Sequence, residues 1–226
     1  MITVLIYKID LREDLPLLDS IIGSLPPEIF EAIRRFVRLE DRLRAAIGKA
    51  LLAFALKRCG RAASALAELR YTEYHKPYFD FDFHFNISHS SEYVVLAYSN
   101  NCELGIDIER VVELDINDFE DQLTAEERES INSAHSPAEK FFSVWTCKES
   151  IVKALGMGLH APLVGIDTMR PAGDYAGRPL PKTAEIAVVP GYKCSLAYFG
   201  ERDAIEVERI NREQVLSIPG DIVAGL

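Results

Sequence analysis

Two parts of this chain nearly repeat. Leu96-Ala97-Tyr98 followed by Ile106-Asp107-Ile108-Glu109-Arg110-Val111 is echoed by Leu196-Ala197-Tyr198 followed by Ile205-Glu206-Val207-Glu208-Arg209-Ile210, at offsets of 100 and 99. Ile47-Gly48-Lys49-Ala50-Leu51 is echoed by Ile151-Val152-Lys153-Ala154-Leu155 at an offset of 104. Matches in one order at nearly one spacing point to a duplicated unit, a helix followed by a hairpin. The expected fold is α+β, with two similar subdomains, 1–110 and 111–226, related by a pseudo-twofold axis. Each would pack a long helix on a small antiparallel sheet, with the active site in the cleft between them.

Local patterns fill in this frame. Met1 to Ile9 reads as a strand, and Pro26-Pro27-Glu28 opens one long helix with Phe30, Ile33, Phe36, Leu43, Ile47, Leu51 and Phe54 on its buried face, ended by Cys59-Gly60. The Phe-Asp-Phe-Asp-Phe-His-Phe alternation near Phe79 to Asn86 reads as a strand. Tyr93 to Tyr98 and Cys102 to Glu109 read as a hairpin, because Asn100-Asn101 tolerates the positive φ of a tight turn. Further strands are expected at Val164 to Met169, Thr183 to Val189, Cys194 to Phe199 and Ala204 to Ile210, with a loop at Pro171 to Pro181. Pro219 to Leu226 carries no signal.

Within the expected hairpin, Ile106 and Ile108 alternate with Asp107 and Glu109, so both carboxylates leave one face of the strand. Acids on a strand commonly do no more than keep a sheet soluble. Forty residues after Glu109, however, Glu149 sits on a helix that Ser136-Pro137 would start and glycines 156 and 158 would end. Helical spacing puts Trp145, Glu149 and Lys153 on one stripe, with Lys148 beside it. A Glu-to-Lys pair on a solvated face is worth only about 0.2–0.5 kcal/mol, but here the stripe begins with the chain's one tryptophan. A hard divalent cation takes carboxylate oxygens, and phosphate oxygens it leaves free pair with ammonium groups. Three acids and two lysines therefore suit a metal-bound pyrophosphate.

Composition narrows the function classes. With 226 residues, 48% of them hydrophobic, the chain can bury one large core or two small ones. A net charge of −10 argues against nucleic acid as a partner. Locally the balance reverses: Arg34, Arg35, Arg38, Arg42, Arg44 and Lys49 face only Glu31, Glu40 and Asp41, a basic surface suited to an anionic ligand. Four cysteines without Cys-x-x-Cys spacing indicate neither a zinc knot nor a disulfide framework. The opening Met1-Ile2-Thr3-Val4-Leu5-Ile6-Tyr7 lacks a basic start and is too short to span a bilayer. A cytoplasmic monomer with no membrane contact is expected.

Three motifs in order, Phe85-Asn86-Ile87-Ser88-His89-Ser90, Gly105-Ile106-Asp107-Ile108-Glu109, and the run from Trp145 through Lys148-Glu149 and Lys153 to Leu159, resemble the 4′-phosphopantetheinyl transferases of the surfactin-synthetase-activating type. Arg35-Phe36, Glu40-Asp41-Arg42 and Arg44 resemble that family's basic first-domain helix, and Lys76-Pro77 its adenine-side pair. The resemblance implies transfer of 4′-phosphopantetheine from coenzyme A to a serine of an acyl carrier protein or peptidyl carrier domain, releasing 3′,5′-adenosine bisphosphate. It implies magnesium, with manganese as an alternative, on Asp107, Glu109 and Glu149. Ser88, His89, Arg44, Lys76 and Pro77 would bind coenzyme A, and Lys148 and Lys153 would flank the transferring group. Glu149, directly or through a metal-bound water, would take the serine proton.

Departures from that pattern are specific. Ile29 and Ala32 stand where lysines often precede the basic helix, leaving Arg34, Arg35, Arg38 or Arg44 to grip the 3′-phosphate. His75 and Ser91 stand where glycines are usual, which suits only a backbone without positive φ. Two other readings share the motifs. A metal-dependent phosphodiesterase or nuclease would use the same acids with water as nucleophile, and a non-catalytic binding module would not need Asp107, Glu109, Glu149 and Lys153 intact.

Overall fold

The almost wholly apolar start of the chain forms strand β1, Ile2–Lys8, buried at every residue but the last because it lies inside a sheet. A computed structural model describes residues 1–158, 161–170, 173–200 and 204–216; the expected loop at 171–181 lies partly, and the 219–226 tail wholly, outside the described residues. The fold is mixed α+β. Strands β2 (His84–Ser90) and β3 (Tyr93–Ser99) pair antiparallel, and β3 pairs antiparallel with β1. Strands β4 (Leu104–Arg110), β5 (Lys182–Glu185) and β6 (Tyr192–Tyr198) form a second sheet in the order β4-β6-β5. Strand β7 (Ile205–Ile210) returns to the first sheet and lies parallel to β1, giving the order β7-β1-β3-β2.

The expected hairpins are therefore absent. β3 and β4 belong to different sheets, and neither Asn100 nor Asn101 has a positive φ. β7 likewise leaves β6 for β1. The reason is burial: Ile106 and Ile108 of β4 join Ile2, Val4, Ile6 and Val95 in a core between the two sheets, which a flat hairpin would leave half open.

Helices cover the outer faces. The expected single helix from Pro27 is two, α1 (Pro27–Arg34) and α2 (Leu39–Arg58), because Arg38 is extended and serves as the N-terminal cap of α2. The break turns Phe36 outward, 46% exposed, against its expected burial. Helix α2 packs Leu43, Ile47 and Leu51 against Leu5, Val94 and Leu96 of the first sheet. After α3 (Ala125–Asn132), helix α4 (Pro137–Leu155) lies on the second sheet. Gly105 of β4 allows that approach, since a Cβ there would sit 2.3 Å from both Ala154 N and Ser150 O. A backbone collision of that kind admits no larger residue without moving strand from helix.

Other expectations shift in detail. Phe79 and Phe83 lie outside the strand, which begins at His84, and instead cluster ring against ring with Phe85 at 5.5 and 6.0 Å. Three aromatic side chains gain more by sharing one core than by alternating across a pleat. Val164 to Met169 is no strand: Leu163–Gly165 forms a 3-10 turn whose neighbouring carbonyls are consumed by a lysine described below. Strand β5 stops at Glu185. Positive φ occurs at both His75 (61°) and Ser91 (53°), the two positions where glycine is usual. Among the described residues no helix is long and apolar enough to cross a membrane.

Candidate active site

Because strand side chains alternate, Ile106 and Ile108 enter the inter-sheet core and send Asp107 and Glu109 toward α4. Asp107 is only 3% exposed, unlike acids that merely keep a sheet soluble, because α4 and β2 close over it. From α4, Lys153 Nζ donates to Asp107 Oδ1 at 2.6 Å, to Ser88 Oγ at 3.1 Å and to Ile106 O at 3.3 Å. Ser88 Oγ donates to Asp107 Oδ1 at 2.9 Å, and Ser90 Oγ donates to Glu109 Oε2 at 2.7 Å. Strand, helix and β2 thus meet at one acid cluster.

The electrostatics of that cluster are unbalanced. Burial, then the negative charge of Asp107, pushes the Glu149 carboxyl above its usual range. Burial also raises Glu109; the Ser90 hydrogen bond partly opposes this, and the charge of Asp107 adds to it. Asp107 Oδ2 is buried with no hydrogen-bond partner. An orphaned buried oxygen costs about 1–3 kcal/mol, more when charged. Mutually repelling carboxylates with an unfilled oxygen have the chemistry of a hard-cation site. Among the described residues no three His, Cys, Asp or Glu side chains stand preassembled around one point, so such an ion would draw part of its oxygen shell from elsewhere. Magnesium does so habitually, keeping waters and substrate phosphate oxygens.

Lys148 does not belong to this cluster, which corrects the expectation that it flanks a transferring group. Its side chain is fully buried on another face of α4, 2.7 Å from Glu127 Oε2, and its ammonium also donates to the carbonyls of Gln122, Leu163 and Ile166. Burial works against the Glu127 anion, but hydrogen bonds from Lys148, Thr168 and Thr124 hold its carboxyl below the usual range. A helical stripe read from spacing could not separate neighbours at 148 and 149. One turns into the protein and the other toward the acids.

The remaining candidates surround the cluster. A cavity of about 250 Å³ is lined by Lys153, Asn86, Gly156, Tyr74, Lys76 and Pro77. The Lys76 ammonium donates to Ala154 O at 2.9 Å, and burial lowers its pKa to about 8. It closes the end of α4, so its pyrrolidine neighbour and its own stem are what line the cavity. Arg44 Nε donates to Ser91 O at 2.7 Å and Nη1 to Asp41 at 2.7 Å. His89 alternates away from Ser88 and Ser90 along β2; the residue is exposed, yet the protein packed around its imidazole and then the Arg44 charge lower its pKa. Ile29 is buried in the core, so that position offers no grip on a ligand.

Sequence reading missed three contributors. Asn86 accepts the Ile106 amide at 2.9 Å, Ser90 holds Glu109, and Glu127 neutralises Lys148. The signals existed: polar residues at 86, 88 and 90 share one strand face, and Thr124-x-x-Glu127 is a capping box.

Residues 103–203 match the 4′-phosphopantetheinyl transferase superfamily, and residues 17–101 match the 4′-phosphopantetheinyl transferase N-terminal family. The chain is 36% identical over 165 residues to 4′-phosphopantetheinyl transferase gsp of Aneurinibacillus migulanus, covering 72% of this chain and 69% of that protein. It is 28% identical over 217 residues to 4′-phosphopantetheinyl transferase Sfp of Bacillus subtilis strain 168, covering 88% and 92%. It is also 29% identical over 161 residues to the L-aminoadipate-semialdehyde dehydrogenase-phosphopantetheinyl transferase of Rattus norvegicus, covering 61% and 50%.

Proposed function

This chain belongs to the 4′-phosphopantetheinyl transferase superfamily, of the surfactin-synthetase-activating type, and transfers phosphopantetheine to carrier proteins; from that premise we propose that its donor is coenzyme A and that 3′,5′-adenosine bisphosphate is released. The observation that carries the assignment to this site is the buried, unpartnered Asp107 Oδ2 beside Lys153, among carboxylates raised in pKa.

Asp107, Glu109 and Glu149 would hold magnesium, or manganese, which when bound neutralises the diphosphate charge. Glu149, its basicity raised by burial, accepts the proton of the carrier serine hydroxyl. The serine oxygen forms a bond to the β-phosphorus of coenzyme A, and the bond from that phosphorus to the bridging oxygen breaks. The adenosine bisphosphate leaves with that electron pair. Lys153 counters charge on the phosphoryl oxygens. The cavity at Tyr74, Lys76 and Pro77 receives the adenine side, with Ser88, His89 and Arg44 toward the phosphates. The recipient is an apo acyl carrier protein or peptidyl carrier domain.

The rest of the reading concerns organisation. Helix α2 lies against one sheet and α4 against the other, while β4 (104–110) and β7 (205–210) each pair within the sheet of the opposite half; this supports a duplicated unit whose halves 1–110 and 111–226 exchange a strand, with the site in the cleft between them. Such a chain works as a monomer in the cytoplasm. The test is to mix protein, coenzyme A, magnesium and a panel of apo-carriers and follow carrier mass. A carrier gaining the phosphopantetheine mass, with equimolar adenosine bisphosphate, is the expected result; bisphosphate released without any carrier would favour hydrolysis instead.

A further inference from the structure

Strand β2 ends the first sheet, and β4 ends the second. Their backbones do not pair. Instead the side chains of β2 at every second position accept the amides of β4 at every second position. Ile106 N–H donates to Asn86 Oδ1 at 2.9 Å, Ile108 N–H to Ser88 Oγ at 3.4 Å, and Arg110 N–H to Ser90 Oγ at 3.1 Å. Each pair is 20 residues apart, so the three bonds keep one register. β4 is thereby held on one edge by the backbone of β6 and on the other by three side chains.

The two serines do a second thing. A hydroxyl has one proton to donate and two lone pairs with which to accept. Ser88 accepts from Ile108 and Lys153 and gives its proton to Asp107 Oδ1; Ser90 accepts from Arg110 and gives its proton to Glu109 Oε2. Once the amide fixes the oxygen, the direction of the proton is fixed as well, and the carboxylate that receives it is held in place. In the chain alone the proton of Ser88 is committed to Asp107, so a phosphate contacting Ser88 would have to displace that bond.

We propose that Asn86, Ser88 and Ser90 are positioning residues for the transfer: a side-chain ladder that sets β4 against β2 and aims the oxygens of Asp107 and Glu109. The proposal rests on the reading that these acids serve the transfer, while the ladder itself is a property of the chain alone. Outer partners that orient a metal-ligating or reacting carboxylate typically matter by about 10–100-fold. Ser90 is the cleanest probe, because it lies outside the cavity at Tyr74 and Lys76, whereas Asn86 lines it.

The experiment compares Ser90→Ala with Ser90→Thr in carrier-loading assays and follows amide hydrogen exchange of Ile106, Ile108 and Arg110 in the ligand-free protein. Ser90→Ala is expected to lower kcat about tenfold or more with the KM for carrier unchanged, and to speed exchange at Arg110 alone. Ser90→Thr, which keeps the hydroxyl, is expected to restore both. Asn86→Leu is expected to speed exchange at Ile106 without unfolding the sheet. Unchanged exchange in the Ala and Leu variants would overturn the ladder. Faster exchange at Arg110 with unaltered kcat, or a Thr variant as slow as Ala, would overturn the positioning role. If the wild-type chain loads no carrier, the proposed function fails, and exchange still decides whether the ladder exists.

Discussion

Lys153 Nζ lies 2.6 Å from Asp107 Oδ1, joining helix α4 to strand β4 across the acid cluster. With Ser88 Oγ and the Ile106 carbonyl also within its reach, this ammonium is fixed beside the acids, where the proposed mechanism brings a phosphoryl group. Lys153→Ala is expected to lower kcat by about 10²-fold, as for loss of one preorganised charge, with a smaller change in the KM for coenzyme A. Initial rates over both substrates check it. A raised KM with normal kcat would make Lys153 a ground-state binder.

Glu149→Gln separates chemistry from stability. Its carboxyl pKa is raised by burial and by Asp107, above the ordinary glutamate value of 4.5. The ionised form is therefore disfavoured by folding at neutral pH, and that penalty fades as the pH falls through the folded pKa and is gone below the unfolded one. The amide variant should lose about 10²-fold or more in kcat/KM yet melt no lower than wild type at pH 7 without ligand. Thermal melts beside rate measurements decide it; a large drop in Tm would make Glu149 structural.

Lys148→Met should behave in the opposite way. It leaves Glu127 buried without its cation, and breaking a buried pair from one side costs about 3–5 kcal/mol. Denaturant titration checks the loss, and kcat/KM of the folded fraction should stay near normal. The Glu127 carboxyl is depressed, so its contribution is fully present above the unfolded value of 4.5 and is lost as the pH falls through the folded pKa. Wild type should thus lose stability in acid below that value. Glu127→Gln should flatten this part of the profile.

Ser91→Gly and His75→Gly are expected to be neutral or stabilising, by up to about 1 kcal/mol each. Both native residues hold positive φ, where a Cβ is strained and glycine is not. The gain is limited by the greater freedom glycine gives the unfolded chain. Denaturant midpoints measure it, and a fall of more than about 1 kcal/mol would mean that the side chains make contacts worth more than the strain.

Adding coenzyme A with magnesium to the wild-type chain should raise Tm by mass action, since the ligand binds only the folded form. The rise should vanish in Asp107→Ala even where that variant folds. Calorimetry with and without chelator checks it, and an undiminished shift would place the ion elsewhere.

Much of the site was legible before any coordinates, because its residues obey short-range periodicities. Two-residue alternation put Asp107 and Glu109 on one side of a strand, and four-residue spacing put Glu149 and Lys153 on one side of a helix. The alternation that separates His89 from Ser88 and Ser90 was not legible, because the expected strand ended at Asn86 whereas it runs from His84 to Ser90. The same rules failed at Lys148. A helix has two flanks next to any stripe, and which flank is buried depends on the partner that packs there, here Glu127 and the turn at Leu163–Gly165.

The placement of Asp107 with Glu109 on one strand, and of Glu149 with Lys153 on one helix face, followed from covalent periodicity alone. Sheet membership did not, because a strand's apolar face says only that it must be buried and not against what. β3 and β4 part company, and β7 crosses to β1, because the core between two sheets removes more apolar surface from water than two separate hairpins would. That long-range exchange is what lays β4 beside Asn86, Ser88 and Ser90 and buries Asp107 under Lys153, so the charge balance of the site was set by the packing of distant segments.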